Sequence, residues 1–91
     1  MPRPRLNRRI RHDHSNRFYK PQGIPMTQLK KVNLTFEEME VLRLKHVKEL
    51  NQIDIAKKMN TSQSTVQRIL ATSYDKISKA LINGDAIQIS E

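Results

Sequence analysis

Residues 52–70 read Q-I-D-I-A-K-K-M-N-T-S-Q-S-T-V-Q-R-I-L, and their apolar spacing admits few folds. Ile55, Ala56 and Met59 share one face of a helix over 52–59. Val66, Ile69 and Leu70 begin the face of another, which starts near Gln63 with Ser62 as its N-cap. Between the two stands Asn60, at a turn that needs a left-handed backbone, a conformation asparagine tolerates better than most residues. Ala56 is small where the helices must cross closely. This is the pattern of a helix-turn-helix, with Ile55, Ala56, Met59, Asn60, Val66 and Ile69 as its structural set. Ordinary helical bundles also use small residues at crossings, so the pattern alone leaves that alternative open.

The flanking sequence completes a small domain. The helix beginning at Gln63 keeps apolar residues through Tyr74, Ile77 and Leu81, and Asn83-Gly84 should end it. Thr35 followed by Glu38 is a capping-box signature, which predicts an earlier helix over 36–48. Its apolar face is read as Phe36, Met39, Leu42, Val47 and Leu50, with His46 half-buried beside it. Val41 and Leu44 fall on the opposite side. That helix therefore needs two covers, drawn from the N-terminal arm, the C-terminal tail or another protomer. Val32 with Leu34, and Ile87 with Ile89, alternate as short strands and predict a two-stranded ribbon. The expected fold is mainly α: a three-helix helix-turn-helix domain with a short ribbon and an extended basic N-terminal arm.

Charge divides the chain. Residues 1–31 hold nine lysines and arginines against Asp13 alone, which accounts for the whole net charge of +8, whereas residues 32–91 sum to zero. We read 1–31 as an arm and 32–91 as the helix-turn-helix domain. All four prolines and Gly23 fall within 1–26, so the arm should be extended or irregular, with Phe18 and Tyr19 anchoring it to the domain. A basic arm on a neutral domain suits a polyanion. Arg3, Arg5, Arg8, Arg9, Arg11, Arg17 and Lys20 are its expected phosphate or minor-groove contacts, and Arg3-Pro4-Arg5 is stiff enough to enter a narrow minor groove. Six such contacts would give a log-log salt slope of about −5.

Other classes are disfavoured. The chain has no cysteine, which removes disulfides and thiolate zinc sites and fits a reducing cytoplasm. It lacks a membrane-length apolar run and the apolar segment of a secretory signal. A chain of 91 residues buries only about 60 to 65% of its unfolded surface, too little for a deep active site. With no phosphate loop, paired carboxylates or nucleophile-base set, neither an enzyme nor a cofactor is expected. His12, Asp13 and His14 make too weak a ligand set for a metal.

The exposed face of the last helix carries the functional expectation. With Gln63 at 0° and an advance of about 100° per residue, Gln67 falls at about 40°, Ser64 at about 100° and Arg68 at about 140°. Arginine suits a bidentate bond to guanine, glutamine suits adenine, and Ala71 permits close approach. Ser62, Gln63, Ser64, Thr65, Gln67 and Arg68 are the candidate base-reading residues. Asp75 would meet phosphate with the wrong charge, so groove contact should stop near Ala71 or Thr72. The expected partner is double-stranded DNA, in transcriptional regulation. Two alternatives stay open: an RNA- or ribosome-associated protein that stacks bases on Phe18 and Tyr19, and a sigma-like module that meets RNA polymerase. The two-sided first helix, the long last helix and the strand signals also suggest a homodimer.

The sequence resembles the bacterial and archaeal predicted DNA-binding proteins called uncharacterised protein family 0251, whose reader is similar to sigma-factor region four. The likeness is carried by the opening M-P-R-P-R, R-R-I at 8–10, F-Y-K-P-Q-G-I-P at 18–25, L-T-F-E-E-M-E at 34–40, L-R-L at 42–44, the helix-turn-helix, and the tail A-L-I-N-G-D-A-I-Q-I. It implies DNA binding and a regulatory role. Relatives often carry cysteine just after R-R-I, where Arg11 and His12 stand here, and glycine at the turn held here by Asn60.

Overall fold

The computed structural model describes residues 17–91, and three helices and three short strands are built from them. In chain order these are β1 (Phe18–Tyr19), β2 (Lys31–Thr35), α1 (Phe36–His46), α2 (Gln52–Met59), α3 (Gln63–Asn83) and β3 (Ala86–Ser90), with a single 3-10 turn at Met26–Gln28. Each helix starts on a side-chain cap. Thr35 and Glu38 form the full capping box of α1. Asn51 accepts from the Asp54 N–H at 2.8 Å and Ser62 from the Thr65 N–H at 3.2 Å, which satisfies amides that the first turns of α2 and α3 would otherwise leave bare. Gly84 ends α3 in the left-handed conformation, φ 72°.

β3 is the central strand of the sheet. It pairs in parallel with β2, Val32 opposite Ile87 and Leu34 opposite Ile89, and antiparallel with β1, Phe18 opposite Gln88. A parallel pair needs a crossover, and here all three helices supply it. The sheet is thus three-stranded, where the sequence predicts a two-stranded ribbon. The third strand comes from the stretch read as arm: Phe18 and Tyr19 anchor through backbone pairing, while the two residues stay 55% and 56% exposed.

α1 sits between two cores. On one side Val41 and Leu44 pack with Ile55, Ala56, Met59, Val66, Ile69 and Leu70, a core shared by all three helices. On the other, Phe36 and Met39 lie against Leu34, Ala80, Ile87 and Ile89 of the sheet and the end of α3. Both covers therefore come from the same chain. The weighting of the faces is the reverse of the sequence reading. Val41 and Leu44 are the buried pair at 0% and 4%, while Val47 is 71% exposed. α1 also stops at His46 rather than residue 48, because Glu49 turns left-handed at φ 59° and the Leu50 N–H bonds back to the Leu44 carbonyl at 3.0 Å. His46 is exposed instead of half-buried, its Nε2 on the Tyr74 hydroxyl.

Two ion pairs brace this frame. Glu40, buried on α1, accepts from Arg43 Nε at 3.1 Å and Nη2 at 2.8 Å. This hydrogen bond and the carboxylate charge hold the Arg43 pKa above its ordinary value against partial desolvation. Lys76 of α3 donates both to Glu38 Oε1, at 2.8 Å, and to the Asn33 carbonyl, at 2.9 Å, tying α3 to the start of α1 and to β2.

Candidate nucleic-acid interface

The candidate site is the solvent face of α3 as far as Ala71, presented by the turn after α2. That turn is set by Asn60 at φ 58°, ψ 50°, the left-handed conformation expected of it. The Asn60 N–H reaches the carbonyls of Ala56 and Lys57, and the Thr61 N–H returns to Ala56 O at 2.9 Å, so the carbonyls at the end of α2 are satisfied inside the turn. Ala56, 5% exposed, is buried in the core that α2 and α3 share, and Ile55, Met59 and Val66 are sealed at 0%. With Ile69 at 8%, all five apolar residues of the predicted structural set are buried. These contacts fix how α3 projects from the domain.

The six candidate reading residues divide by geometry. Gln63, Gln67 and Arg68 are exposed, and their side chains form no hydrogen bond or ion pair with another described residue. Ser64 is exposed and touches only the Ser62 hydroxyl, at 3.2 Å. Ser62 and Thr65 are occupied within the chain: Ser62 Oγ caps the Thr65 amide and donates to Thr65 Oγ1 at 2.8 Å. Their hydroxyls hold the first turn of α3, leaving Gln63, Ser64, Gln67 and Arg68 free to meet a ligand. Ala71, exposed one turn on, keeps that face shallow.

The cations of the domain divide in the same way. Arg43, Lys76 and Lys79 are engaged by Glu40, Glu38 and Asp75. Lys57 and Lys58, in the last turn of α2, are exposed and unpaired among the described residues. They flank the turn that presents α3, and sequence reasoning passed over them because a neutral total for residues 32–91 hid which charges are spent internally. Of the predicted arm contacts, Arg17 and Lys20 are described, and both are exposed. Lys20 Nζ donates to the Ile24 carbonyl at 2.7 Å, and the Arg17 carbonyl accepts from the Ile89 N–H at 3.0 Å. Arg3, Arg5, Arg8, Arg9 and Arg11, like His12, Asp13 and His14, lie outside the described residues. Among the described residues no helix is long and apolar enough to cross a membrane.

The family described as "Protein of unknown function DUF134" matches residues 1–91. The chain belongs to this family. A UPF0251 protein of Halothermothrix orenii is 43% identical over 88 residues, covering 97% of this chain and 65% of its own length. One from Pelotomaculum thermopropionicum is 42% identical over 90 residues, covering 99% of this chain and 68% of its own. One from Caldanaerobacter subterraneus is 42% identical over 89 residues, 98% of this chain and 75% of its own. The chain therefore spans about two-thirds of the length of these DUF134 relatives. No solved structure matches.

Proposed function

We propose that this DUF134 protein binds double-stranded DNA with sequence preference and regulates transcription in the cytoplasm. The observation that carries the reading is the group Gln63, Ser64, Gln67 and Arg68. They are exposed polar side chains on the leading turns of a helix whose other face is locked into a helix-turn-helix core. Those residue types are the ones that read base edges, and the first turns of the second helix are where such a motif enters the major groove. The neutral domain supplies selectivity. Affinity comes from the basic segment before Val32, joined by Lys57 and Lys58 at the turn.

The exposed rings of Phe18 and Tyr19 favour a second reading, stacking on unpaired bases of RNA. One experiment separates the two. Selection of bound duplexes from a random library, in competition with single-stranded RNA, should return a motif of a few base pairs. Enrichment without a motif, or preference for the single strand, overturns the duplex reading. Capture by RNA polymerase without nucleic acid would point to the sigma-like alternative.

A further inference from the structure

We infer that the cleft between the C-terminal half of α1 and the middle of α3 binds an amphipathic organic carboxylate, a small molecule with an apolar body and one anionic end. The inference does not rest on the duplex reading proposed above, and its test needs no DNA.

The cleft opens where the two cores reach the surface side by side. Leu42 packs against the core shared by the helices, and Met39 and Ile77 pack against the core of the sheet; all three are only partly buried. They line a cleft of about 690 Å³, inside the range of about 300–1,000 Å³ usual for small-molecule sites. Val47 continues the wall past the end of α1 and is 71% exposed, an aliphatic side chain that folding leaves uncovered. An apolar ligand body laid there would remove these side chains from water.

The rim sets the charge of the occupant. Arg17 and Lys48 line the cleft, and their side chains form no hydrogen bond or ion pair with another described residue. The third cation, Arg43, is spent on Glu40. Among the described residues no carboxylate lines the cleft. The negative end of α1 is partly muted as well: the Arg43 carbonyl accepts from the N–H groups of Val47 and Lys48, and the Leu44 carbonyl from that of Leu50. Two unspent positive charges beside an apolar wall attract an anion more strongly than they would in open water, because the wall lowers the local dielectric. His46 and Tyr74 add a donor. The neutral pair carries one imidazole N–H and one phenol O–H, and its mutual bond uses only one of them. Whichever group donates in that bond, the other hydrogen remains for an acceptor.

The same features argue against other occupants. Residues 1–16 hold five arginines against Asp13 alone, so that segment would bring positive charge to a positive rim. A two-fold contact with a second copy would set one Arg17–Lys48 rim near the other. Nucleic-acid phosphate would satisfy the cations but leave Met39, Leu42 and Val47 uncovered. A small carboxylate with an apolar body meets both demands at once.

The probe is 2-naphthoate, with 2-naphthamide as its uncharged counterpart. Titrated into the full chain at neutral pH and followed by proton–nitrogen NMR, naphthoate should saturate with a Kd of about 1 mM or tighter, as expected of a ligand its size. The largest shifts should fall within 39–48 and 74–77, and naphthamide should bind at least about threefold more weakly. The double variant Arg17→Ala, Lys48→Ala should weaken naphthoate about tenfold while leaving naphthamide unchanged. Val47→Glu should weaken naphthoate by about tenfold or more, since it sets a carboxylate in the wall. All three positions are exposed, so the unliganded melting midpoint should not move in either variant. A weaker Kd, shifts centred on another surface, or equal affinity for the amide overturns the inference. So does unchanged naphthoate affinity in either variant. Binding that appears only when residues 1–16 are removed makes that segment the occupant, and cleft shifts that depend on protein concentration without probe make it a second copy; either result overturns the inference too.

Discussion

Replacing Arg68 with alanine separates reading from gripping, and its magnitude follows from the side chain's surroundings. Arg68 is exposed and bonds to no other described side chain, so the folded domain loses nothing when it is truncated. Alanine is also the better helix former, and the change in folding stability should stay within about 0.5 kcal/mol. Any loss of binding is therefore a lost contact. A bidentate bond to guanine discriminates by about 1–3 kcal/mol, which is a 5- to 150-fold weaker Kd on the selected duplex. On a scrambled duplex the same side chain can offer only its charge. Fluorescence anisotropy titrations on both duplexes, repeated across a salt series, give the two numbers needed. The expected result is a large loss on the selected duplex, a small one on the scrambled duplex and a collapsed preference. Equal losses on both, with the log-log salt slope shallower by about 0.9, would reduce Arg68 to a phosphate contact and refute its reading role.

Three further outcomes follow from other parts of the molecule. Removing residues 1–16 takes away Arg3, Arg5, Arg8, Arg9 and Arg11 but spares the Arg17 carbonyl that holds Ile89; the salt slope should become shallower by as much as about 4.5 with the duplex preference kept, and an unchanged slope would overturn the gripping role. At the left-handed turn, Asn60→Ala should cost about 1 kcal/mol and Asn60→Gly should raise stability by a few tenths to about 1 kcal/mol, read as melting shifts in opposite directions; shifts of the same sign would show that backbone preference is not what Asn60 contributes. Ile55, fully buried between the helices, should lose about 2–5 kcal/mol on truncation to alanine, measured by urea denaturation, and a loss below 1 kcal/mol would mean that the core there collapses around the gap.

What was legible in the sequence tracks how local the determining physics is. The caps at Thr35, Ser62 and Gly84 and the left-handed Asn60 depend on neighbours within four residues, and each lies where the residue types put it. α2 and α3 begin and end as read. α1 resisted because it is apolar on two sides, and periodicity cannot rank two faces that are both buried. Its end at His46, ahead of the left-handed Glu49, carried no glycine or asparagine signal. β1 is two residues long, too short for any period, and exists only because β3 offers an edge. In α3, Tyr74 and Leu81 fit the apolar period and yet face water, since close packing at Ser73 and Ala80 decided which side goes inward. Within the candidate site, the exposed Gln67 and Arg68 followed from helical geometry, whereas the commitment of Ser62 and Thr65 to the cap, and the freedom of Lys57 and Lys58, depended on partners that spacing does not reveal.

The parallel pairing of β2 with β3 also orders events during synthesis. Val32 waits 55 residues for Ile87, while the contacts of α2 with α3 span a far shorter loop. α3 can therefore be nucleated locally, but the platform beneath α1 closes only after Ala86–Ser90 has left the ribosome. Until then β2 is a strand with no neighbour, open to pairing with other nascent chains. Lys30 and Lys31 at its entrance are the kind of charge that keeps such an edge from pairing wrongly. The same late strand makes the domain's completion an all-or-none event: a chain cut short before residue 86 would retain Gln63, Ser64, Gln67 and Arg68 but lose the sheet that holds one side of α1.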